Sequence, residues 1–552
     1  MEENKHESRR NFIKKSAIAT AALTIPGFIP HNAFGEKHTE GLIKPLNQGI
    51  TSALPASSFT IDFNFENGNL GTYKIIGPDT ISVGPVSRHK DTWFSFKIKG
   101  VRHKKIKLII EWINTAKVSS NFGGQGNNTA MISYDGKGFE IIKEVNFVLK
   151  DPGADAGNFI QTMTHTFRED EAMVTYCAPW SNTRMADLAS KLKSDPRVDI
   201  DNIGFSKFKN LPLTYFKVTD KQVPDTAKKK FFLIGREDSY EAGSSWAIEG
   251  LMNFILSEDP VAKEMLKKMV FVIFPIFSVD GVAMGATNFP LNPDNTEFVY
   301  VTGQWEKEPA YYEVKLMQDF WQKMKNEGFY PDVSFKFHAT CYWESHFRPE
   351  DCAPENLEKE RQLLGILRKK LSWRIEDPAL RNPNTYMNSN FIKVFPDAIT
   401  YSSHNDFIFT RRYLKTTQNV YRRHEDVIQD GELIARSYAE FYGVPSKAVA
   451  PYLMAGDVDV NCGVKGAPLT YSVYYYDIQK LPPSKIEVII NKKAYKMEAE
   501  ENADYSKPVR FVYKTSLRDR RNDYSFFASN GDQSRNIPQE NYQLPGPFML
   551  DK

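Results

Sequence analysis

Cysteine is scarce in this chain, with four residues in 552: Cys177, Cys341, Cys352 and Cys462. No two have C-x-x-C spacing, which excludes a zinc knuckle and a thioredoxin-like redox pair. Cys341 and Cys352 are close enough in sequence to bridge one loop, and buried reduced thiols are the equal alternative. No cysteine precedes Cys177, so lipid attachment at a processed N-terminal cysteine is not expected. Charge of one sign is also lacking. Lys and Arg total 71 against 68 Asp and Glu, a net charge of +3. That balance argues against nucleic acid and against an anionic membrane surface as partners. There is no internal repeat and no low-complexity tract. The mild apolar stretch from Ala17 to Ile29 is too short and too rich in Ala and Thr to span a bilayer.

What is present starts with length. A chain of 552 residues exceeds what one core holds, so about three domains are expected. Near the N-terminus, Ser8 to Lys14 reads S-R-R-N-F-I-K, ahead of that mild apolar run. This resembles a twin-arginine signal peptide over residues 1–35. It implies a periplasmic or secreted protein, exported folded, with no membrane insertion after the signal is removed. Residues 36–58 read as a linker rich in Ser, Pro, Leu and Gly.

From residue 59 to 167 short runs alternate with period two: W-F-S-F-K-I-K-G, K-I-K-L-I-I-E-W and F-E-I-I-K-E-V-N-F-V. Asp135-Gly136 marks a hairpin turn. The expectation is an N-terminal β-sandwich. From 168 to 445 strands alternate with amphipathic helices, expected near 244–257, 260–268, 310–327, 355–371 and 430–442. That alternation predicts an α/β domain with a mixed sheet covered on both faces and ligands at the loops leaving its strand ends. From 450 to 552 the β pattern returns, with lengths suited to a C-terminal immunoglobulin-like β-sandwich.

The densest chemical signal is Gly235 to Gly250, G-R-E-D-S-Y-E-A-G-S-S-W-A-I-E-G. It follows the apolar run Phe231 to Ile234 and opens an apolar-periodic segment, so it reads as strand, tight loop and helix. Asp238 and Glu241 lie three apart and can reach one point. Two converging carboxylates need a cation or a proton between them. The competing reading is a capping pair favoured by the helix dipole.

These residues resemble the first zinc motif of the zinc carboxypeptidases, particularly the cytosolic carboxypeptidase branch, roughly G-R-x-H-P-G-E followed by Trp and Gly. Gly235, Arg236, Glu241, Trp246 and Gly250 match. Asp238 stands where the motif has His, and Ser239 and Tyr240 where it has Pro-Gly. Downstream, Pro275, Asp280, Gly281, Val282, Gly285 and Asn288 match a strand end and turn. Asn292 matches the Asn of a D-L-N-R substrate grip whose Arg is Pro293 here. S-F-K-F-H-A-T places His338 on the last zinc-ligand position, with Lys336 where the family has an orienting Asp. Y-L-K-T-T-Q-N-V-Y, Tyr413 to Tyr421, resembles the catalytic Thr-x-Glu strand, with Gln418 in place of the Glu. Glutamine cannot take a proton from a water.

The resemblance implies one divalent metal held by Asp238, Glu241 and His338, with zinc favoured and manganese, iron or calcium open. It gives Gln418 and Arg236 catalytic positions. Asn292, Lys336, Arg411 and Arg412 are candidates to bind substrate, the three basic residues holding an anionic group in place of the missing arginine. Each basic residue also has a plain reading as a solvated charge or salt-bridge member. Three functions follow as expectations: an exported metallohydrolase with an altered site and an anionic or unusual substrate, a non-catalytic relative that binds peptide or glycan, and an enzyme acting on acidic polysaccharide.

Overall fold

A computed structural model describes residues 59–84, 86–88, 91–116, 129–149, 156–292, 298–299, 304–307, 310–339, 346–349, 353–371, 375–376, 386–404, 408–409, 420–445, 449–500 and 503–550. The expected signal and linker, residues 1–35 and 36–58, lie outside them. No helix among the described residues is long and apolar enough to cross a membrane.

The first alternating runs form two five-stranded sheets. One orders Thr60–Asp62, Ser95–Lys99, Glu171–Thr175, Met131–Ser133 and Glu140–Ile141; the other orders Glu144–Leu149, Ala156–Thr166, Lys105–Ala116, Thr80–Gly84 and Thr72–Gly77. Phe96 and Ile98 of the first sheet and Ile106, Leu108 and Ile110 of the second are buried, as period two requires. The run read as one strand over 139–148 is two strands, one in each sheet. The break falls at Ile142-Lys143, where the Ile142 N–H bonds the Ala130 carbonyl and the Lys143 ammonium reaches Asp457 at 2.9 Å.

The middle of the chain forms an eight-stranded mixed sheet. Its strands in chain order are β1 (Val198–Phe205), β2 (Pro212–Val218), β3 (Lys229–Gly235), β4 (Met269–Phe274), β5 (Val333–His338), β6 (His346–Pro349), β7 (Ile375–Glu376) and β8 (Ile399–His404). Their spatial order is β1-β2-β4-β3-β5-β8-β6-β7. The central strands β4, β3, β5 and β8 are mutually parallel, and all of β4 and β5 is buried, as a sheet covered on both faces demands. The helices are α1 (Asn182–Leu192), α2 (Ala242–Ile255), α3 (Pro260–Lys268), α4 (Val279–Ala283), α5 (Tyr312–Asn326), α6 (Leu357–Lys370), α7 (Tyr386–Val394) and α8 (His424–Phe441). The stretch expected to supply a sheet strand over Tyr413–Tyr421 does not do so in its described part. Val420–Tyr421 pairs with Ile408–Phe409 in a separate ribbon, and the strand beside β5 is β8.

Helices α2 and α8 approach backbone to backbone. A Cβ on Gly250 would lie 1.9 Å from the Ile428 carbonyl oxygen, and one on Gly431 would lie 1.9 Å from that of Ala247. Only glycine permits that contact. Beside it the rings of Trp246 and His424 pack at a tilt of 39° with centroids 4.3 Å apart.

The last β region forms two four-stranded sheets that share one core, including Leu453, Tyr471, Val473, Val488, Tyr524 and Phe526. Its first strand, β9 (Tyr452–Val458), is a sheet edge, and α8 covers it. Residues 423, 426, 429 and 432 recur every three positions along one helix stripe. Arg423 bonds Asp457 at 2.8 Å and the Tyr524 hydroxyl at 3.2 Å, and donates to the Phe139 carbonyl of the N-terminal sheets at 2.9 Å. The Asp426 carboxylate accepts from the Ala455 N–H. The Gln429 amide bonds both the carbonyl and the N–H of Leu453, at 2.7 and 3.1 Å. Glu432 accepts from Arg535 at 2.9 Å. Gln429 thus acts toward β9 as a neighbouring strand would, closing an edge that would otherwise recruit another chain.

Candidate functional site

The site forms where β3 and β5 end side by side, Gly235 opposite Phe337. Just past Gly235, Arg236 adopts φ 54°, in the left-handed region that a side chain rarely occupies, and reverses the chain. Three bonds hold it there: its N–H to Ser244 Oγ at 2.9 Å, Nη1 to the Trp180 carbonyl at 3.0 Å, and Nη2 to the Ser239 carbonyl. The expected catalytic Arg236 is therefore a buried clamp on the loop. Its guanidinium grips backbone carbonyls and is only 1% exposed.

Glu241 is the N-cap residue of α2 and makes no side-chain capping bond, so the capping reading does not apply to it. Its carboxylate faces His338 instead. The His338 Nδ1 lies 3.0 Å from one Glu241 oxygen and 3.1 Å from the other. His338 is 8% exposed and Glu241 1%. A ring nitrogen directed between two carboxylate oxygens is a donor set that a divalent cation or a proton can occupy.

Asp238 does not complete that set. One of its carboxylate oxygens accepts from the Asn288 amide at 2.9 Å. Among the described residues no group of three His, Cys, Asp or Glu is placed to hold a metal ion. The expected convergence of Asp238, Glu241 and His338 is thus corrected to a pair, Glu241 with His338, with Asp238 tied to the turn that follows α4. That turn is itself pinned: Ser239 Oγ bonds the carbonyls of Ala286 and Asn288 at 2.9 Å each. The pair fits two positions of a zinc set; the described side chains do not supply the third.

Lys336 was expected to face an anion in the cleft. It lies on β5, wholly buried, with its ammonium 2.7 Å from Glu237. Glu237 also accepts from the Trp305 indole at 2.8 Å. A charge buried at this depth must be paired, and Glu237, which the sequence reading passed over, pairs it. Lys336 is removed from the anion-binding candidates on that ground. Asn292 is half-buried beside Leu291, which is 43% exposed. Gln418, Arg411 and Arg412 lie outside the described residues, as do Cys341 and Cys352.

The matched Asp280 supports the floor of the region. Its carboxylate accepts from Ser206 Oγ at 2.5 Å and from the N–H groups of Phe208 and Lys209 at 2.7 and 3.0 Å. Glu313 of α5 accepts from the Lys207 N–H at 2.9 Å. Burial first, and then the Asp280 charge, push the Glu313 carboxyl up to about 7.

A family model described as zinc carboxypeptidase matches residues 185–496. Mouse cytosolic carboxypeptidase 6 is 25% identical over 255 residues, covering 44% of this chain and 46% of that protein. Zebrafish cytosolic carboxypeptidase-like protein 5 is 33% identical over 108 residues, 18% of this chain and 12% of that protein. The chain thus spans less than half the length of these curated relatives. Among solved structures, a metallo-carboxypeptidase from Burkholderia cenocepacia superposes with TM-score 0.56 at 17% identity, covering 70% of this chain and 99% of its own. One from Pseudomonas aeruginosa, in complex with (2-guanidinoethylmercapto)succinic acid, gives 0.54 at 19%, with the same 70% and 99% coverage.

Proposed function

Since the chain belongs to the zinc carboxypeptidase family, we propose that it is an exported hydrolase of the metallocarboxypeptidase type, with an altered metal site and an anionic or unusual peptide substrate. The observation that carries this reading is the pairing of His338 Nδ1 with both Glu241 oxygens at the carboxyl ends of parallel strands, where α/β sheets place their ligands. In this reading the N-terminal sheets (59–167) form a β-sandwich, residues 168–445 the catalytic domain, and residues 450–552 an immunoglobulin-like sandwich. The twin-arginine pattern supports a periplasmic or secreted destination.

A divalent cation bound by Glu241 and His338 would polarise a substrate carbonyl, zinc being favoured by the family. The chain's own residues do the rest. Arg236 fixes the loop through the Ser239 carbonyl, Asn288 orients Asp238, and the buried pair Lys336–Glu237 joins β5 to that loop beneath the site. Arg411 and Arg412 are the basic residues left to hold an anionic group.

A second reading, a non-catalytic relative that binds peptide or glycan, is favoured by one observation: Asp238 is bonded to Asn288, and among the described residues no group of three is placed to hold a metal ion. Metal analysis of protein purified from its native host, paired with hydrolysis of C-terminal peptide substrates, separates the two. Stoichiometric metal that is lost in Glu241→Gln, together with peptide cleavage, supports the hydrolase. Stable, metal-free protein that binds but does not cleave peptides supports the binder.

A further inference from the structure

Three side chains close a triangle at the start of α8. The Tyr542 hydroxyl lies 2.5 Å from one Glu425 oxygen and 3.0 Å from His424 Nε2. His424 Nδ1 lies 3.3 Å from the other Glu425 oxygen. That nitrogen and that oxygen are buried, and neither has a hydrogen-bond partner elsewhere. His424 and Glu425 are each 3% exposed, so a contact left without its proton is costly there. The His424 ring is boxed in by Trp246 and by the edge-on ring of Phe139, with centroids 4.3 and 5.6 Å away. Tyr542 belongs to the segment 539–544, which helps to wall a cavity of about 390 Å³ lined also by Arg184, Asp187, Lys191, Glu249 and Glu425. The charges facing the triangle are Arg184 of α1, Glu249 of α2, Glu540 of the segment, and Arg423 and Asp426 of α8 itself.

Each side of the triangle needs one proton. The Tyr542 hydroxyl supplies one, and a neutral imidazole supplies one, whichever nitrogen carries it. The third must be bound by Glu425 and His424 between them. Without it, one side sets lone pair against lone pair inside the protein. We propose that this triangle is a proton-gated fastening, closed on segment 539–544 while the third proton is bound and released when that proton leaves. Burial, then the Arg184 charge, hold the His424 imidazole down to about 3. Burial also raises the Glu425 carboxyl, against the pull of Arg423 and of the Tyr542 hydroxyl. The third proton therefore sits on Glu425. A carboxyl raised in the folded state contributes stability that is complete below its ordinary value and is lost as pH rises through its folded value. The segment is thus fastened in acid and freed as pH rises. Release opens one wall of the cavity and parts Glu540 from Arg184, which it meets at 2.9 Å. The inference stands apart from the metal reading and uses none of its residues.

The test is amide exchange over residues 539–543 in the full chain, from about pH 4 to about pH 9, corrected for the chemical exchange rate at each pH. In the wild type, protection is expected to fall tenfold or more as pH rises, while α5 keeps its own. Glu425→Gln carries an amide N–H for His424 Nδ1 and a carbonyl for the Tyr542 hydroxyl, so its three protons are permanent. It should keep the protection at every pH. Tyr542→Phe removes two sides of the triangle and should be unprotected throughout the range. Wild-type protection that is level or that rises with pH overturns the proposal. So does a Glu425→Gln variant that follows the wild-type profile. If that variant fails to fold, Tyr542→Phe decides alone, and a wild-type pH profile in it rejects the fastening.

Discussion

Glu237, in the loop that leaves β3, and Lys336 of β5 meet 2.7 Å apart, with side-chain exposures of 1% and 0%. One stands in the loop that carries Asp238 and Glu241, the other two residues before His338. Removing one partner leaves an uncompensated buried charge, which costs about 3–5 kcal/mol. Lys336→Met should therefore lower the unfolding free energy by that order, read from the shift of the denaturant midpoint. The double variant Lys336→Met/Glu237→Gln should recover much of the loss. Two single losses that simply add in the double variant would show that the pair is not coupled.

The second prediction concerns helix approach. Gly431→Ala places a methyl group 1.9 Å from the Ala247 carbonyl oxygen, so α2 and α8 must separate. Overpacking of this kind costs about 1–3 kcal/mol. Thermal unfolding should register it, and Gly443→Ala, where nothing lies within 4 Å but φ is +69°, serves as a comparison in which only backbone strain acts. Equal stability of Gly431→Ala and wild type would contradict the approach described.

A third prediction is pH dependence through Glu313. Burial and Asp280 raise its carboxyl in the folded protein from 4.5 to about 7. The folded state then binds a proton that the unfolded state has already released, so this group's contribution to stability declines as pH rises from about 4.5 to 7 and is constant outside that window. Glu313→Gln removes the dependence. At pH 8 the variant should exceed wild type, by on the order of 1–3 kcal/mol at most, and at pH 4 the advantage should vanish. Chemical denaturation at the two pH values checks this, and an advantage that is the same at both would reject the cause given.

The fourth prediction addresses the cover on β9. Gln429→Leu leaves the N–H and carbonyl of Leu453 without the side-chain partner they have now. Unpaired buried main-chain groups cost about 1–3 kcal/mol each. Amide exchange over residues 452–458 should rise by tenfold or more, the change that roughly 1.4 kcal/mol of local opening produces. Exchange in α5, which lies away from this contact, should not change. No rise over residues 452–458 would show that water replaces the glutamine at little cost.

Much of this fold was legible in sequence because local signals and burial agree. Helix α3 begins and ends where Asp259 caps it, Pro260 opens it and Lys267 and Lys268 close it. The strands of the flanking sheets follow period two. The failures share a cause, the burial of polar residues that find partners far off in sequence. Strand β8 reads I-T-Y-S-S-H and looks like a turn, yet Thr400, Ser402 and Ser403 are wholly buried in it. Apolar content is therefore a poor guide there, and the Thr-x-Gln pattern further on drew the expectation to Tyr413–Tyr421. Helix α8 was expected from 430 and starts at His424, because R-R-H-E-D looks solvated. Each of those charges is buried, Arg422 on Asp430 and Arg423 on Asp457. At the site, Glu241 and His338 were legible as a pair from motif and strand position. The role of Lys336 was not, since its partner Glu237 lies in the loop after the neighbouring strand and nothing local marks it.

The order of synthesis gains meaning from the contacts near residue 540. Arg168 bonds Asp523, 355 positions later, at 2.6 Å. Tyr542 donates to Glu425 at 2.5 Å, and Phe548 stacks on His103 with ring centroids 5.5 Å apart. The earliest sheets therefore cannot reach their final surroundings until the last strands have left the ribosome. Contacts of such long range are slow to form, and until they do, Arg423 and Glu432 of α8 lack Tyr524 and Arg535 and stay open to other chains. A growing chain of this protein should thus depend on chaperone protection late in translation rather than early, and fragments ending before residue 523 should be recovered bound to chaperones rather than free.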